Sequence, residues 1–371
     1  MSNLPVVSHW INGQAVDGKP DHVALVTDPA LGVATKQVNV AGPDEIEAAF
    51  ATAQAAFPKW RDMSQARKQA IMFKFRELLN ERKHECAALI TEEHGKVLDD
   101  ALGEVTRGQE VVEFACGMPH LLKGMFTENA SSGVDVYSIR QALGVVGIIS
   151  PFNFPAMVPM WFFPIAIAAG NTVVVKPSEK VPSATLWMAK LWKEAGLPDG
   201  VFNVLNGNRT TVQAMLEDER IKAISFVGST PVAKYIYEEG SKHGKRVQAL
   251  GGAKNHMLVL PDADLDLVAD SAINAGFGSA GERCMAISVV VAVEPVADPL
   301  IEKIVERMGK LTSGDGRRNC DMGPLVTKEH RDKVASYVEI AENDGAKVVV
   351  DGRGINAVSY THLTLPTKRI V

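Results

Sequence analysis

A single cysteine stands in a setting that suits a nucleophile. Cys284 follows a glycine-rich bend and is preceded by Gly-Glu-Arg at residues 281–283. Glycines let backbone N–H groups turn toward the sulfur, and a neighbouring guanidinium favours thiolate. Cys86 and Cys116 lie on helical patterns, as expected for buried, inert thiols. We therefore predict Cys284 as a catalytic nucleophile, and no Ser-His-Asp or Cys-His arrangement near it indicates a hydrolase.

Polar side chains also follow three predicted strands. Asn153 lies in the turn Ser-Pro-Phe-Asn-Phe-Pro, Lys176 and Glu179 follow the next strand, and Ser229 stands between a strand and a helix. At the carboxyl edge of a parallel sheet these groups would suit ribose hydroxyls and a pyrophosphate. A structural turn, a solvated charged loop and a plain helix cap are the alternatives. No Gly-x-Gly-x-x-Gly occurs near Ser229, so the ordinary dinucleotide fingerprint is absent.

The elements that must position these residues alternate between strands and helices from Gly144 onward. This alternation predicts βαβ units and a parallel sheet. The predicted strands are Val145–Ile149, Thr172–Val175, Val201–Leu205, Ala223–Val227, Val247–Leu250, Met257–Leu260, Ile287–Val293 and Ala346–Val350.

The remaining predicted elements are mostly helical. Helices are expected from Pro43, after Ser64, from about Val97 to Leu122, after Asp264, over Pro299–Leu311 and over Lys328–Glu342. Val134–Arg140 alternates apolar and polar residues, which predicts a half-exposed hairpin arm that could pair with another subunit.

Composition excludes several classes of protein. The 371 residues are 46% hydrophobic and 22% charged, with a net charge of −5 and no basic block, so neither disorder nor binding to nucleic acid is indicated. Four scattered cysteines predict reduced thiols in the cytoplasm, no signal peptide is visible, and no metal site is predicted. The charge-free stretch Gln141–Val175 is interrupted by four prolines, so a buried strand, turn and core helix are expected rather than a membrane span.

Taken together and in order, these segments resemble the aldehyde dehydrogenase superfamily. The matching segments are Ile11–Gly13, Pro151–Pro155, Lys176–Glu179, Phe226–Thr230, Leu250–Gly252 and Gly281–Cys284.

The resemblance implies an α/β fold with a Rossmann-type parallel-sheet domain that binds NAD. The expected divisions are the N-terminal part of the dinucleotide-binding domain (1–128), an oligomerisation hairpin (129–143), the Rossmann-type domain (144–252), an incomplete α/β catalytic domain (253–357) and a tail unlike the family (358–371).

The resemblance also implies roles for individual residues. Cys284 is expected as nucleophile and Asn153 as oxyanion-hole donor. The expected NAD contacts are Ser150, Phe152, Lys176, Glu179, Gly207, Gly228, Ser229, Leu250 and Gly251. Because a carboxylate at Glu179 would repel a 2′-phosphate, NAD is expected in preference to NADP.

One departure from the family narrows the expected reaction. Hydrolytic members carry Glu-Leu-Gly-Gly, with the Glu as general base for water, whereas this chain has Ala249-Leu-Gly-Gly. Residues 249–256, 281–285 and 106–116 resemble the methylmalonate-semialdehyde branch, which includes malonate-semialdehyde enzymes. That resemblance implies transfer of the acyl group to coenzyme A, with loss of the substrate carboxylate as carbon dioxide or bicarbonate.

A substrate with a β-carboxylate needs a cationic partner. Arg283 and Arg107, the latter on a largely apolar helix, suit bidentate carboxylate binding. For Arg107 a surface salt bridge is the alternative.

The end of the chain carries a separate expectation. The tail after Ala357 and the missing later family motifs predict a truncated or misjoined product of a homo-oligomeric parent, a dimer of dimers. Weak or absent turnover is expected of such a product, and a natural short, splice-like form is the alternative.

Two competing functions remain open. The first is a different aldehyde dehydrogenase, either hydrolytic or acylating. It would act without coenzyme A, or on aldehydes that lack a carboxylate. A nucleotide-binding remnant would bind NAD without turnover. Both methylmalonate semialdehyde and malonate semialdehyde fit the sequence as substrates. The breakdown pathways of valine, inositol and β-alanine fit it equally.

Overall fold

Two compact units make up the described part of the chain. A computed structural model describes residues 4–19 and 22–354. The first unit contains the described residues up to 25 together with 36–86 and 103–251, and the second contains 26–35, 87–102 and the described residues from 252 onward. Residues 26–35 and 87–102, predicted in the dinucleotide-binding domain, thus lie in the second unit. The predicted tail 358–371 lies outside the described residues.

The bounds of the regular elements are as follows. The strands are β1 (Val6–Val7), β2 (His9–Ile11), β3 (Gln14–Val16), β4 (Val23–Asp28), β5 (Val33–Asn39), β6 (Phe126–Ser131), β7 (Val134–Tyr137), β8 (Val145–Ile149), β9 (Thr172–Lys176), β10 (Phe202–Val204), β11 (Ile221–Val227), β12 (Arg246–Leu250), β13 (Asn255–Val259) and β14 (Ile287–Ala292). The helices are α1 (Pro43–Asp62), α2 (Gln65–His94), α3 (Leu98–Cys116), α4 (Met118–Leu121), α5 (Met157–Ala168), α6 (Ser183–Glu194), α7 (Arg209–Glu217), α8 (Thr230–Lys242), α9 (Leu265–Phe277), α10 (Ala297–Met308) and α11 (Lys328–Asn343).

The main sheet of the first unit has the strand order β12-β11-β8-β9-β10-β2-β3. Strands β12 to β10 are parallel, and β2 adds to β10 in the antiparallel sense. All residues of β8 and β9 are buried, as the continuous β-branched runs predict for central parallel strands. Because these strands are parallel, the residues that follow β8, β9, β11 and β12 lie at one edge of the sheet, called here the carboxyl edge.

The charge-free stretch forms β8, a turn, α5 and β9, as predicted. Helix α5 has only 12 residues and contains Pro164. Its apolar side chains pack in the interior, where Phe163 contacts Phe75, Trp192 and Phe202 edge to face. Within residues 4–19 and 22–354, the helices are too short or too polar to cross a bilayer.

The predicted hairpin is present with different bounds. Strands β6 and β7 pair antiparallel with Phe126 opposite Tyr137, so the hairpin begins before residue 129 and its second strand ends before residue 143. All residues of both strands are exposed, among them Phe126, Val136 and Tyr137. Its role in oligomerisation stays a prediction.

The second unit contains the parallel pair β13 and β14, packed with α9 and α10. Val259, Ala269, Val296 and Leu300 form its core. Asp264 caps α9 as a side-chain acceptor from the backbone N–H groups of residues 266 and 267, so the predicted start of this helix is confirmed.

Two predicted elements are wrong in detail. Among the described residues, 346–349 form no strand, and Val350 at the end of the predicted run forms a single β-bridge. β-branched composition makes a strand only where a neighbouring strand satisfies its backbone groups. The helix predicted from Val97 to Leu122 ends at Cys116, and α4 begins after Gly117.

Candidate functional site

A buried carboxylate holds the turn that follows β8. Oε1 of Glu104 accepts hydrogen bonds from the backbone N–H groups of Ala156 (2.8 Å) and Met157 (3.1 Å) at the start of α5. Asn153 is half-buried in this turn. The structure therefore presents the predicted oxyanion-hole amide on a fixed backbone. Glu104 escaped the sequence analysis because a lone acidic residue on a helix gives no distinguishing signal.

Ser150, Lys176 and Glu179 come together at the carboxyl edge. The Ser150 backbone N–H donates to the Lys176 carbonyl (3.1 Å), and Nζ of Lys176 lies 3.5 Å from Oε2 of Glu179. Burial lowers the pKa of Lys176, and the Glu179 carboxylate acts in the opposite direction. Oγ of Ser150 is buried without a hydrogen-bond partner among the described residues. A buried hydroxyl without a hydrogen-bond partner suits a polar ligand group.

Ser229 occupies the N-cap position of α8, but its side chain makes no capping hydrogen bond. Its hydroxyl is therefore not used by the helix. The Gly228 backbone N–H donates to the Leu250 carbonyl (3.1 Å), which ties the ends of β11 and β12 together. A Cβ at Gly251 would lie 3.1 Å from Oγ1 of Thr230, so the chain passes close to the first turn of α8. The four predicted residues Gly228, Ser229, Leu250 and Gly251 thus cluster at the N-terminus of α8.

Two other predicted NAD contacts have structural partners of their own. The Phe152 ring lies 5.1 Å from Nζ of Lys180, a cation–π distance. Gly207 follows β10, and a Cβ there would collide with Thr211 of α7. Packing alone thus requires glycine at position 207, so its glycine is no evidence for a ligand.

Arg107 lies exposed on α3. Within the part of the chain that the structure describes, no side chain forms a hydrogen bond or ion pair with its guanidinium. The surface salt bridge considered as an alternative is therefore not formed there, and the guanidinium is available to an anion.

The cysteine segment, residues 278–286 of the second unit, has an unusual backbone. Three consecutive residues, Ser279, Ala280 and Gly281, have φ of 52°, 53° and 74°. The left-handed conformation costs a residue with a Cβ roughly 1–2 kcal/mol. The glycine predicted to permit the bend does so, but Ser279 and Ala280 adopt it only because other contacts hold them.

Asp100 supplies part of that hold. Its Oδ2 accepts from the Ser279 backbone N–H (2.9 Å), and its Oδ1 lies 2.5 Å from Nη2 of Arg283. Nη1 of Arg283 also donates to Oδ1 of Asn274 (3.2 Å), and the side chain is only 22% exposed. A substrate carboxylate would have to compete with Asp100 for Arg283, whose substrate contact stays a prediction.

Asn255 also holds the backbone at Cys284. Nδ2 of Asn255 donates to the carbonyl oxygens of Cys284 (2.9 Å) and Ala286 (3.0 Å). The Cys284 side chain is half-buried. Its thiol is thus carried on a backbone held from both directions.

The carboxylate of Glu282 points into the second unit and is only 2% exposed. Its Oε1 lies 2.9 Å from Nδ1 of His330, and Oε2 lies 3.4 Å from Nε2 of the buried His94. Burial raises the pKa of the Glu282 carboxyl, while His330 acts in the opposite direction. No local sequence pattern marks this group, because His94 and His330 are remote from residue 282 along the chain.

The other cysteines lie in settings that suppress thiolate. Cys86 and Cys116 are buried, as predicted. Burial raises the pKa of Cys116 to about 11 and that of Cys86 well above its ordinary value. Sγ of Cys320 donates to the Asp315 and Met322 carbonyls, both at 3.4 Å, and burial also raises its pKa.

Comparison with known proteins adds a family and its fold. The sequence profile of the aldehyde dehydrogenase family matches residues 16–366, which extends into the segment 358–371 that the sequence analysis set apart. A malonate-semialdehyde dehydrogenase of Pseudomonas aeruginosa is 49% identical over 359 residues, which cover 96% of this chain and 72% of that protein.

Solved structures agree with this match. A methylmalonate-semialdehyde dehydrogenase from Oceanimonas doudoroffii superposes with a TM-score of 0.94 at 48% identity, covering 98% of this chain and 75% of that one. A Sinorhizobium meliloti protein assigned to the same activity, in complex with NAD, gives a TM-score of 0.93 at 47% identity over 96% of this chain and 73% of that one.

Proposed function

Because this chain belongs to the aldehyde dehydrogenase family, we propose that it oxidises a β-carboxylated aldehyde with NAD and passes the acyl group to coenzyme A. The proposed substrates are methylmalonate semialdehyde and malonate semialdehyde. Loss of their carboxylate as carbon dioxide or bicarbonate gives propionyl-CoA or acetyl-CoA. The names of the relatives support the substrate class, and the residue at position 249 supports the acceptor.

Covalent catalysis is assigned to Cys284. In the proposed reaction its thiolate adds to the aldehyde carbon, and the Asn153 amide donates to the oxyanion that develops. Departure of a hydride from that carbon leaves a thioester on Cys284. NAD, when bound, accepts this hydride. The fastened backbone around Cys284 supports this role, because a fixed nucleophile loses little entropy in the reaction.

The carboxyl edge fits a dinucleotide. Lys176 and Glu179 offer an ammonium and a carboxylate to ribose hydroxyls, and the uncommitted Ser229 side chain lies at the N-terminus of α8, which suits a pyrophosphate. The unpaired Ser150 hydroxyl adds a buried polar group without a partner in the described chain. The NAD complex of the Sinorhizobium protein supports the same cofactor here.

The proposal that coenzyme A accepts the acyl group rests on the alanine at position 249. This residue lies on β12 beside Phe226 of β11. A methyl group cannot take a proton from water, so hydrolysis of the thioester lacks general-base help worth about 10²–10⁴-fold. The thiol of coenzyme A, with an ordinary thiol pKa of about 8.5, supplies a few per cent of thiolate at neutral pH without such a base.

Rapid-mixing measurements test the proposal. NADH formation would be followed with malonate semialdehyde, methylmalonate semialdehyde and propanal, each with and without coenzyme A. Without coenzyme A we expect one equivalent of NADH per active site and then a stall. With coenzyme A, NADH formation should continue past that first equivalent on the carboxylated aldehydes. Steady turnover without coenzyme A would contradict the acylating reaction.

Two variants at one position sharpen this test. Ala249→Glu should raise the water-dependent rate, because it restores a base. Ala249→Gln is the matched control, since it has the same size without the base. An equal increase in both variants would show that shape rather than proton transfer changed.

A further inference from the structure

The buried carboxylate two residues before Cys284 connects the cysteine segment to helix α11. The Glu282 side chain reaches Nδ1 of His330 in the first turn of α11, and the Val326 backbone N–H points at the same oxygen from 3.5 Å. Thr327 caps α11 by accepting from the His330 backbone N–H (3.2 Å), so the imidazole is carried on a fixed helix end.

Two further nitrogen-bearing side chains lie near this carboxylate. His94 from the end of α2 lies on its Oε2 side, and the buried Lys96 contributes positive charge from the same segment. The neighbouring chain is packed tightly there, since a Cβ at Gly316 would lie 2.5 Å from the Lys96 carbonyl. The Glu282 carboxylate therefore occupies a defined, tightly packed position in the second unit.

The opposite side of the segment is held separately. Asp100 fixes Ser279 and Arg283, and Asn255 fixes the carbonyl of Cys284. Only Glu282 ties the segment to α11 among these contacts. Without that tie, the left-handed residues 279–281 lose one of the contacts that offset their backbone cost.

We propose that Glu282 and His330 form a brace that positions the Cys284 thiol, with His330 as a positioning residue for the reaction. The inference rests on the proposed role of Cys284 as nucleophile. Neither side chain reacts; the hydrogen bond between them sets where the following cysteine stands. A misplacement near 1 Å can cost about 10²-fold in rate.

Substitution of His330 is the direct test. His330 is 38% exposed, so its replacement leaves no buried cavity. His330→Leu removes the hydrogen bond, whereas His330→Asn keeps a donor at the position of Nδ1. Lys333→Leu, at an exposed position on the same helix, is the matched control. The readouts are the rate of Cys284 alkylation by iodoacetamide at pH 8, the rate of the NADH burst, the Kd for NAD and the Tm.

We expect His330→Leu to slow alkylation and the burst by roughly 10- to 100-fold. The Kd for NAD should not change, and His330→Asn and Lys333→Leu should behave like the parent. Unchanged rates in His330→Leu would overturn the brace. Equal losses in His330→Asn and His330→Leu would also overturn the brace. A His330→Leu chain that fails to fold would do the same, because it would show that the hydrogen bond serves only the fold.

A double variant gives an independent check. Glu282→Ala should slow alkylation as His330→Leu does, and the two together should be no slower than Glu282→Ala alone, because both remove the same bond. Losses that multiply would overturn the proposal. Alkylation needs neither aldehyde nor coenzyme A, so a failure of the proposed substrate or acceptor shows in the turnover assays and leaves this test intact.

Discussion

The carboxyl edge and the cysteine segment are built by opposite means. At the carboxyl edge, buried parallel strands end side by side, and their backbone hydrogen bonds place Ser150, Lys176 and Ser229 at or just after the strand ends. The cysteine segment has no such ladder over residues 278–286. Side chains remote in sequence, Asp100 and His330, hold it instead.

This difference separates two kinds of robustness. Removal of one side chain from the carboxyl edge leaves the strand ladder intact, so ligand affinity changes while position does not. Removal of one tie from the cysteine segment frees a backbone that costs roughly 1–2 kcal/mol per left-handed residue with a Cβ. Substitutions should therefore affect binding in the first region and rate in the second.

The largest expected effect is on the nucleophile. Cys284→Ala should abolish the NADH burst and the acyl-enzyme, because no other described thiol lies in a comparable setting, while NAD affinity survives. Intact-mass spectrometry and NAD titration by fluorescence quenching check both halves. Cys320→Ala, at another half-buried thiol, is the control. Activity that follows Cys320 or Cys116 would transfer the role away from Cys284.

Arg107→Leu should lower kcat/KM for carboxylated aldehydes by about 10- to 100-fold, since a hydrogen bond to a charged group contributes roughly 1.5–3 kcal/mol. Propanal should be affected much less. Arg67→Leu, at another exposed arginine of the same unit, is the control. Equal losses on propanal and malonate semialdehyde would make Arg107 structural.

Substitution of Arg283 distinguishes two roles for this residue: binding the substrate carboxylate or holding the cysteine segment. If it binds the substrate carboxylate, Arg283→Leu should reduce selectivity for carboxylated aldehydes, and Asp100→Asn should leave that selectivity intact while slowing Cys284 alkylation. The ratio of kcat/KM for malonate semialdehyde and propanal measures this. A parallel loss on both substrates in Arg283→Leu would confine the arginine to holding the segment.

Glu179→Gln should change cofactor preference rather than rate. Removing one charge near the ribose should raise affinity for NADP relative to NAD by about fivefold, or ~1 kcal/mol for an exposed carboxylate. Glu219→Gln, exposed before β11 at the opposite end of the sheet, is the control. An unchanged ratio of the Kd values for NAD and NADP would show that Glu179 does not lie near the 2′-hydroxyl of the ribose.

The smallest expected effect concerns buried thiols and pH. The pKa of Cys116 near 11 leaves only about 0.1% thiolate at pH 8, so iodoacetamide should label Cys284 and spare Cys116 in the folded chain. Because the folded pKa lies above the unfolded value, the contribution of Cys116 to stability is complete below about pH 8.5 and falls as pH rises toward 11. Urea unfolding between pH 8 and 10 should show this fall, and Cys116→Ala should reduce it.

The sequence by itself determined the central strands and the polar groups at their ends. The continuous β-branched runs of β8 and β9 are typical of buried parallel strands, so both strands followed from local pattern. The alternation of strands with helices then predicted β11 and β12 in the same parallel sheet. Helix caps such as Asp264 are equally local, because a side chain bonds to a backbone group two or three residues away.

Only the tertiary structure decided how Cys284 is held. The segment bends through Ser279 and Ala280, which have no local preference for a left-handed backbone, and its ties come from Asp100 and His330. The run Ala346–Val350 shows the same dependence in reverse, since its composition favours a strand yet residues 346–349 form none. Pattern within a few residues records local preference, whereas a strained loop or a strand pair exists only when distant parts of the chain supply its partners.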